Sequence, residues 1–279
     1  KDGLSTWFTA QNDLAPVKIA FIHTDLKSAG YNQISQKEVY NSFNRIYCNS
    51  VASKERFLNM LPEYASKTYV LYNILDPQLI KNMAEMGEGY SDNFSGIRIL
   101  TIGRLSHEKG IDKAIEVAAM LKSSNYSFRW YIVGDGTDRN LLKRKADKLH
   151  VEREVVFLGK KLNPYRFLKD CDIYVQPSNY EGYCISLTEA RLFAKPIVTC
   201  DFCGAREQII DGKTGIIAGM SVDELYIGVR KLIENENLQL YLHNNLLQYN
   251  NYSFQGINEF CNYLEKCNNV TDYSKAGLF

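Results

Sequence analysis

The sequence predicts an α/β fold in two domains, each built on a parallel sheet. Three observations carry that prediction. Short apolar runs alternate with stretches of helical periodicity from Val17 through Ile210. A polar, glycine-rich interval without periodicity, residues 87–96, divides the alternation in two. The chain has 279 residues and 45% hydrophobic content, enough to fill two medium-sized cores.

In the first half, "VKIAFIH" (17–23), "RIYCNS" (45–50) and "KTYVLY" (67–72) read as strands, and "QKEVYNSF" (36–43) and "ASKERFLNML" (52–61) as helices. Asp76-Pro77 supplies an N-cap and a first-turn proline for the helix "QLIKNMAEM". The interval "GEGYSDNFSG" then has the composition of a linker. This gives a first domain at 1–94, linker included, and a second at 95–279.

The second domain opens with the buried-type strand "IRILTI". Ile111, Ala114, Ile115, Ala118 and Leu121 follow the spacing of an amphipathic helix. Strands "FRWYIVG", "VVFLG", "DIYVQP" and "PIVTC" follow, separated by helices at "DRNLLKRKADKL", "PYRFLK" and "SLTEARLF", with another near "AREQII". Strands alternating with helices of this length imply right-handed crossovers and a parallel sheet. From about Val222 the pattern is helical.

A net charge of +1 excludes a global field that would recruit nucleic acid. Seven cysteines without framework spacing fit a reducing cytoplasm, and no apolar run reaches the length of a membrane span. Cys200-Asp-Phe-Cys203 lacks the second pair that a zinc or redox site needs, so its cysteines read as small buried hydrophobes. Asp170-Cys-Asp172 falls at a helix-to-strand entry and reads as structural.

In an open parallel sheet, ligands bind outside the carboxyl ends of the strands. The loops there are 103–110, 134–138, 159–161, 178–186 and 201–207. Four of them place glycine beside polar or charged residues, a pattern suited to a phosphorylated ligand. Arg104 and Lys109 share the first loop. They read either as two fixed cations for a phosphate or as solvated surface charges. "GDGTDR" lacks the third glycine of a dinucleotide fingerprint. Ser186-Leu-Thr-Glu189 has the spacing of a capping box, equally readable as an acid for a ribose diol. Glu181, in the preceding loop beside Gly182, has no such capping role.

In order and spacing, "GRLSHEKG", "YIVGDG", "VVFLG", "DIYVQPSNYEGYCISLTEA" and "PIVTCDFCGAREQIIDGKTGIIAG" resemble family 4 glycosyltransferases across residues 97–218. These are retaining, nucleotide-sugar-dependent enzymes of the GT-B fold, in which two Rossmann-like domains face each other across a cleft.

The resemblance implies that Arg104 and Lys109 bind a donor diphosphate, that Glu181 faces the donor sugar and that Glu189 holds the nucleotide ribose. Gly182, Tyr183 and Cys184 would supply the loop behind the phosphates, Phe157, Leu158 and Gly159 the nucleobase edge, and Gly103, Gly134, Gly136 and Ile185 further substrate contacts. His23, in "IAFIHTDL", would point toward the transferred sugar. The first domain would be incomplete, lacking its opening strand and glycine-rich loop. The implied activity is a metal-independent hexosyltransferase, without cofactor, using a UDP-, GDP- or ADP-sugar. Its acceptor would be a saccharide or a lipid-linked precursor of capsule or lipopolysaccharide. A lipid-linked acceptor would bring a cytoplasmic protein into peripheral contact with the inner face of the membrane. The competing implication is a catalytically idle, nucleotide-sugar-binding partner subunit.

Overall fold

Two parallel sheets organise the chain, one in each of two compact units: Lys1–Ile74 with Tyr252–Phe279, and Leu75–Asn251. The computed structural model describes residues 2–12, 15–31, 37–86, 89–249 and 256–275.

In the first unit, α1 (Asp2–Gln11) precedes β1 (Ile19–Ile22), β2 (Arg45–Cys48) and β3 (Thr68–Val70), which pair in that order. Successive side chains of a strand point to opposite faces, and β2 uses both. Ile46 and Cys48 join a core with Tyr40, Phe43, Phe57 and Leu61. Tyr47 packs edge-on against Phe260, 5.1 Å between centroids, and its hydroxyl donates to Glu259 over 2.8 Å. The helix Ile257–Lys275 therefore belongs to this unit. Helix α2 (Val51–Met60) begins at Ser50, whose Oγ accepts from the Ser53 amide over 2.9 Å. Of the helix expected over 36–43, residue 36 lies outside the described residues, and 38–42 form a turn.

The second unit starts with α3 (Pro77–Met86), which packs on α6 (Tyr165–Asp170). Its sheet comprises β4 (Ile97–Ile102), β5 (Phe128–Val133), β6 (Val155–Gly159), β7 (Ile173–Gln176), β8 (Ile197–Cys200) and β9 (Ile216–Ala218), in the order β6-β5-β4-β7-β8-β9. Every neighbouring pair is parallel. The chain winds outward from β4 to one side and then from β7 to the other. The order thus reverses between β4 and β7, where loops leaving in opposite directions open a crevice. Between strands run α4 (Ile111–Ser123), α5 (Arg139–Lys148), α7 (Ile185–Leu192) and α8 (Ala205–Gln208); α9 (Val222–Ile233) and α10 (Glu236–Gln248) follow the sheet. The core contains Ile99, Leu100, Trp130 and Tyr174. Two of its buried polar side chains are matched: the Trp130 indole donates to Thr101 Oγ1 over 3.0 Å, and Thr101 donates to the Val175 carbonyl over 2.7 Å.

The boundary expected at 94/95 is displaced, and the tail is not all in the second domain. Residues 87 and 88 lie outside the described residues, but 89–96 are no free linker. Asp92 accepts from Arg98 over 3.0 Å, from Arg129 over 2.6 Å and from the Tyr131 hydroxyl over 2.5 Å. The Tyr90 ring lies 4.4 Å from that of Tyr131. These contacts strap the segment to β4 and β5. Burial opposes ionisation of Asp92, yet the three hydrogen bonds outweigh it and hold its pKa down at about 2. Asp172 takes a structural part as well, its Oδ2 accepting from the Arg98 amide over 2.7 Å.

Candidate functional site

The loops after β4, β5, β6 and β7 are stitched together backbone to backbone. The Gly103 amide donates to the Val133 carbonyl, the Leu105 amide to Asp135, and the Gly134 amide to Gly159. Two glycines permit this closeness. Gly110 has φ 61°, and a Cβ there would meet the Pro177 carbonyl at 2.1 Å; at Gly134, φ 149°, it would meet the Gly103 carbonyl at 1.8 Å. At the next turn Gly136 is equally close to the Leu105 carbonyl, at 2.2 Å. The loop 103–110 also grips the loop after β7: the Asn179 amide donates to the Glu108 carbonyl over 2.8 Å, and the Asn179 side chain to the His107 carbonyl over 2.7 Å.

This scaffold carries Lys109 to Glu181. Their Nζ and Oε1 atoms lie 2.5 Å apart, with side-chain exposures of 20% and 12%. Burial disfavours the Lys109 charge, but the Glu181 carboxylate beside it outweighs that and raises its pKa above the usual lysine range. Glu181 is steadied by Ser178, which donates to the same oxygen over 2.8 Å. Gln176 donates to Ser178 over 2.8 Å and accepts from Tyr174 over 2.5 Å and from Ser186 over 3.1 Å. The chain of hydrogen bonds runs from the strand end to the start of α7. Cys184, buried beside it, stays a thiol, because burial pushes its pKa up to about 12.

Arg104 departs from the expectation of a second fixed cation. Its side chain is 71% exposed and meets the Glu108 carboxylate at 3.5 Å. A long side chain at a loop edge gains too little from one exposed pair to be held there.

The capping-box reading of Glu189 fails. Helix α7 begins at Ile185 with Cys184 as N-cap and no side-chain cap, so Glu189 lies in the second turn, past the uncapped amides. Its Oε1 instead accepts from the Tyr165 hydroxyl over 3.1 Å, and the residue is only 9% exposed. Burial pushes its carboxyl up to about 7, with the Tyr165 hydrogen bond acting weakly the other way. Gly182, Tyr183, Cys184 and Ile185 lead into this helix. Phe157, Leu158 and Gly159 end β6, where Ile132 pairs with Phe157 and Val133 with Gly159, leaving Leu158 as a bulge.

The second unit alone thus brings together Lys109, Glu181, the glycine turns, residues 182–185, Glu189 and the end of β6 along one sheet edge. His23 belongs to the first unit, at the end of β1, with its ring stacked 6.1 Å from Phe21 and its carbonyl accepting from Asn49. That unit also holds a cavity of about 880 Å³ lined in part by Asp25, Lys27, Tyr31 and Arg56. Arg56 is paired there with Asp25. Sequence reasoning passed over Tyr165, Ser178 and Gln176. Ser178, three residues before Glu181 in the same loop, offered a signal in its spacing; Tyr165, 24 residues from Glu189, offered none.

Among the described residues, no group of three or more His, Cys, Asp or Glu is placed to hold a metal ion. Cys200 and Cys203 are buried and form no disulfide. No described helix is long and apolar enough to cross a membrane.

The fold and this loop edge define the class. The structure superposes on the Alr3699/HepE protein of Anabaena, solved in complex with UDP, with a TM-score of 0.74 at 20% identity, covering 90% of this chain and 72% of that one. The fold is the Rossmann-like GT-B fold of glycosyltransferases. Residues 94–248 match the family described as glycosyl transferases group 1, and the chain belongs to that family. Among curated relatives, it is 26% identical over 203 residues to the N-acetylgalactosamine-N,N'-diacetylbacillosaminyl-diphospho-undecaprenol 4-alpha-N-acetylgalactosaminyltransferase of Campylobacter jejuni, covering 72% of this chain and 54% of that protein. It is 24% identical over 219 residues to the poly(ribitol-phosphate) alpha-N-acetylglucosaminyltransferase of Staphylococcus aureus, covering 77% and 43%. The chain spans about half the length of these curated relatives.

Proposed function

We propose that the chain is a retaining, metal-independent hexosyltransferase of glycosyltransferase family 4, moving a sugar from a nucleoside-diphosphate donor to a saccharide or lipid-linked acceptor in surface-polysaccharide or glycolipid assembly. The observation that carries this reading is the Lys109–Glu181 pair, held at the point where the strand order reverses. A diphosphate arriving there competes with Glu181 for the ammonium and draws in the exposed Arg104. Glu181, released, accepts hydrogen bonds from the donor sugar's hydroxyls. Glu189 takes the ribose diol, and the β6 end borders the base.

As the bond from the sugar's anomeric carbon to the leaving phosphate breaks, charge grows on the diphosphate, where Lys109 and Arg104 stabilise it. The acceptor oxygen attacks from the same face and its proton passes to the leaving phosphate, so the chain need supply no nucleophile. By the family resemblance alone, His23 would orient the transferred sugar. The relatives named above, glycosyltransferases of a diphospho-undecaprenol and of a ribitol-phosphate polymer, support an anionic or lipid-linked acceptor.

The test has two stages. Calorimetry of the full gene product with UDP, GDP and ADP should show one nucleotide binding, and mass spectrometry of reactions with matched nucleotide sugars should show a glycosylated acceptor. Absence of binding by all three would overturn the reading. Binding without transfer to any acceptor would assign the chain as an idle partner subunit.

A further inference from the structure

Resting on that reading of the donor site, we infer that Glu189 and Tyr165 form a proton-linked latch: a nucleotide seats its ribose diol on Glu189 only as the carboxyl gives its proton to solvent, with Tyr165 positioning the carboxylate. The geometry sets Glu189 apart from Glu181. Glu181 has its cation in Lys109, 2.5 Å away, whereas the groups facing Glu189 are Tyr165 from α6 and Tyr174 from β7, neither of them cationic. Tyr174 directs its hydroxyl to Gln176 instead. Glu189 therefore sits buried with one neutral partner at 3.1 Å, a setting that favours the protonated acid. A carboxylic acid presents one good acceptor oxygen, and a carboxylate two. A diol that donates two hydrogen bonds selects the ionised form and expels the proton. Burial already places that equilibrium at about 7, so ordinary buffers straddle it.

The experiment is titration of UDP into the wild-type protein, Glu189→Gln and Tyr165→Phe, in buffers of differing ionisation enthalpy from about pH 6 to about pH 8.5. The phosphates of UDP titrate identically in all three, so differences report on the site. The expected result is that wild type releases up to about one proton more per UDP than Glu189→Gln near pH 6, the excess vanishing above about pH 8. The ratio of their affinities should rise about tenfold per pH unit below neutrality. In Tyr165→Phe the window should move to higher pH, with UDP binding weakened at neutral pH. Equal proton release by wild type and Glu189→Gln, both binding UDP, overturns the inference and leaves the donor-site reading standing. An unmoved window in Tyr165→Phe removes Tyr165 from it. Failure of wild type to bind UDP, GDP or ADP instead overturns the underlying reading. If Glu189→Gln does not fold, the carboxyl carbon resonance of Glu189 in wild type, followed through pH with and without UDP, reads the same proton. A titration midpoint unchanged by UDP overturns the inference.

Discussion

Lys109 and Glu181 close a 2.5 Å ion pair between the loops leaving β4 and β7, so the two halves of the sheet are tied at the point where their winding diverges. The pair ties the two loops, and on the proposed reading it competes with the donor diphosphate for the ammonium.

That double use predicts a coupled pair. Lys109→Ala leaves Glu181 as a carboxylate with little solvent, and should cost about 2–3 kcal/mol. The double variant Lys109→Ala/Glu181→Ala should lie well short of the sum of the single losses, with a coupling of about 1–3 kcal/mol in urea-unfolding cycles. Strict additivity would show the pair to be inert.

Arg104 should behave differently. Because its side chain is 71% exposed, Arg104→Ala should change stability by less than about 0.5 kcal/mol. It should still weaken binding of the donor nucleotide by about tenfold or more, through one lost charge-assisted contact. Thermal melting read beside calorimetry separates the two effects.

Gly110→Ala should destabilise through backbone alone. Its φ of 61° disfavours a side chain, and the new Cβ would fall 2.1 Å from the Pro177 carbonyl. Strain of this kind costs roughly 1–3 kcal/mol, and the loop after β7 must also shift. The expected reading is a lowered Tm together with loss of nucleotide binding.

Glu189 should make the protein less stable as pH rises. Its folded carboxyl is raised to about 7 from an unfolded value near 4.5, so the folded state binds more protons between those limits and stability falls across them. The loss is on the order of 3 kcal/mol, complete above about pH 7. Glu189→Gln should abolish this component, and its stability relative to wild type should grow over that window in denaturant titrations.

Asp92 has the opposite sign. Its pKa is depressed from 3.8 to about 2, so its contribution is present above the unfolded value and disappears as pH falls through about 2. With its side chain 26% exposed, solvent screening reduces that contribution to about 1–2 kcal/mol. Asp92→Asn should lose this amount at neutral pH and match wild type in strong acid, measured by unfolding across that range.

The alternation of apolar runs and helices was legible because each strand of a parallel sheet is buried on both faces and leaves a continuous apolar signature, as in "IRILTI" and "FRWYIV". The glycine-bearing loops were legible for a related reason: close backbone approach leaves few other residues possible at Gly110 or Gly134. The interval 87–96 misled, since the polar composition that marks a linker is shared by a strap whose Asp92 and Tyr90 find partners 37 to 41 residues away, at Arg129 and Tyr131.

Local pattern by itself determined that this chain builds parallel sheets with a glycine-bearing loop edge, because periodicity and glycine placement are properties of neighbouring residues. Only the tertiary structure decided that Lys109 would meet Glu181, that Glu189 would turn from its own helix end to Tyr165, and that the helix Ile257–Lys275 would join the first sheet. Those outcomes depend on which distant groups share a desolvated space, and burial, unlike periodicity, is fixed only when the whole chain has packed.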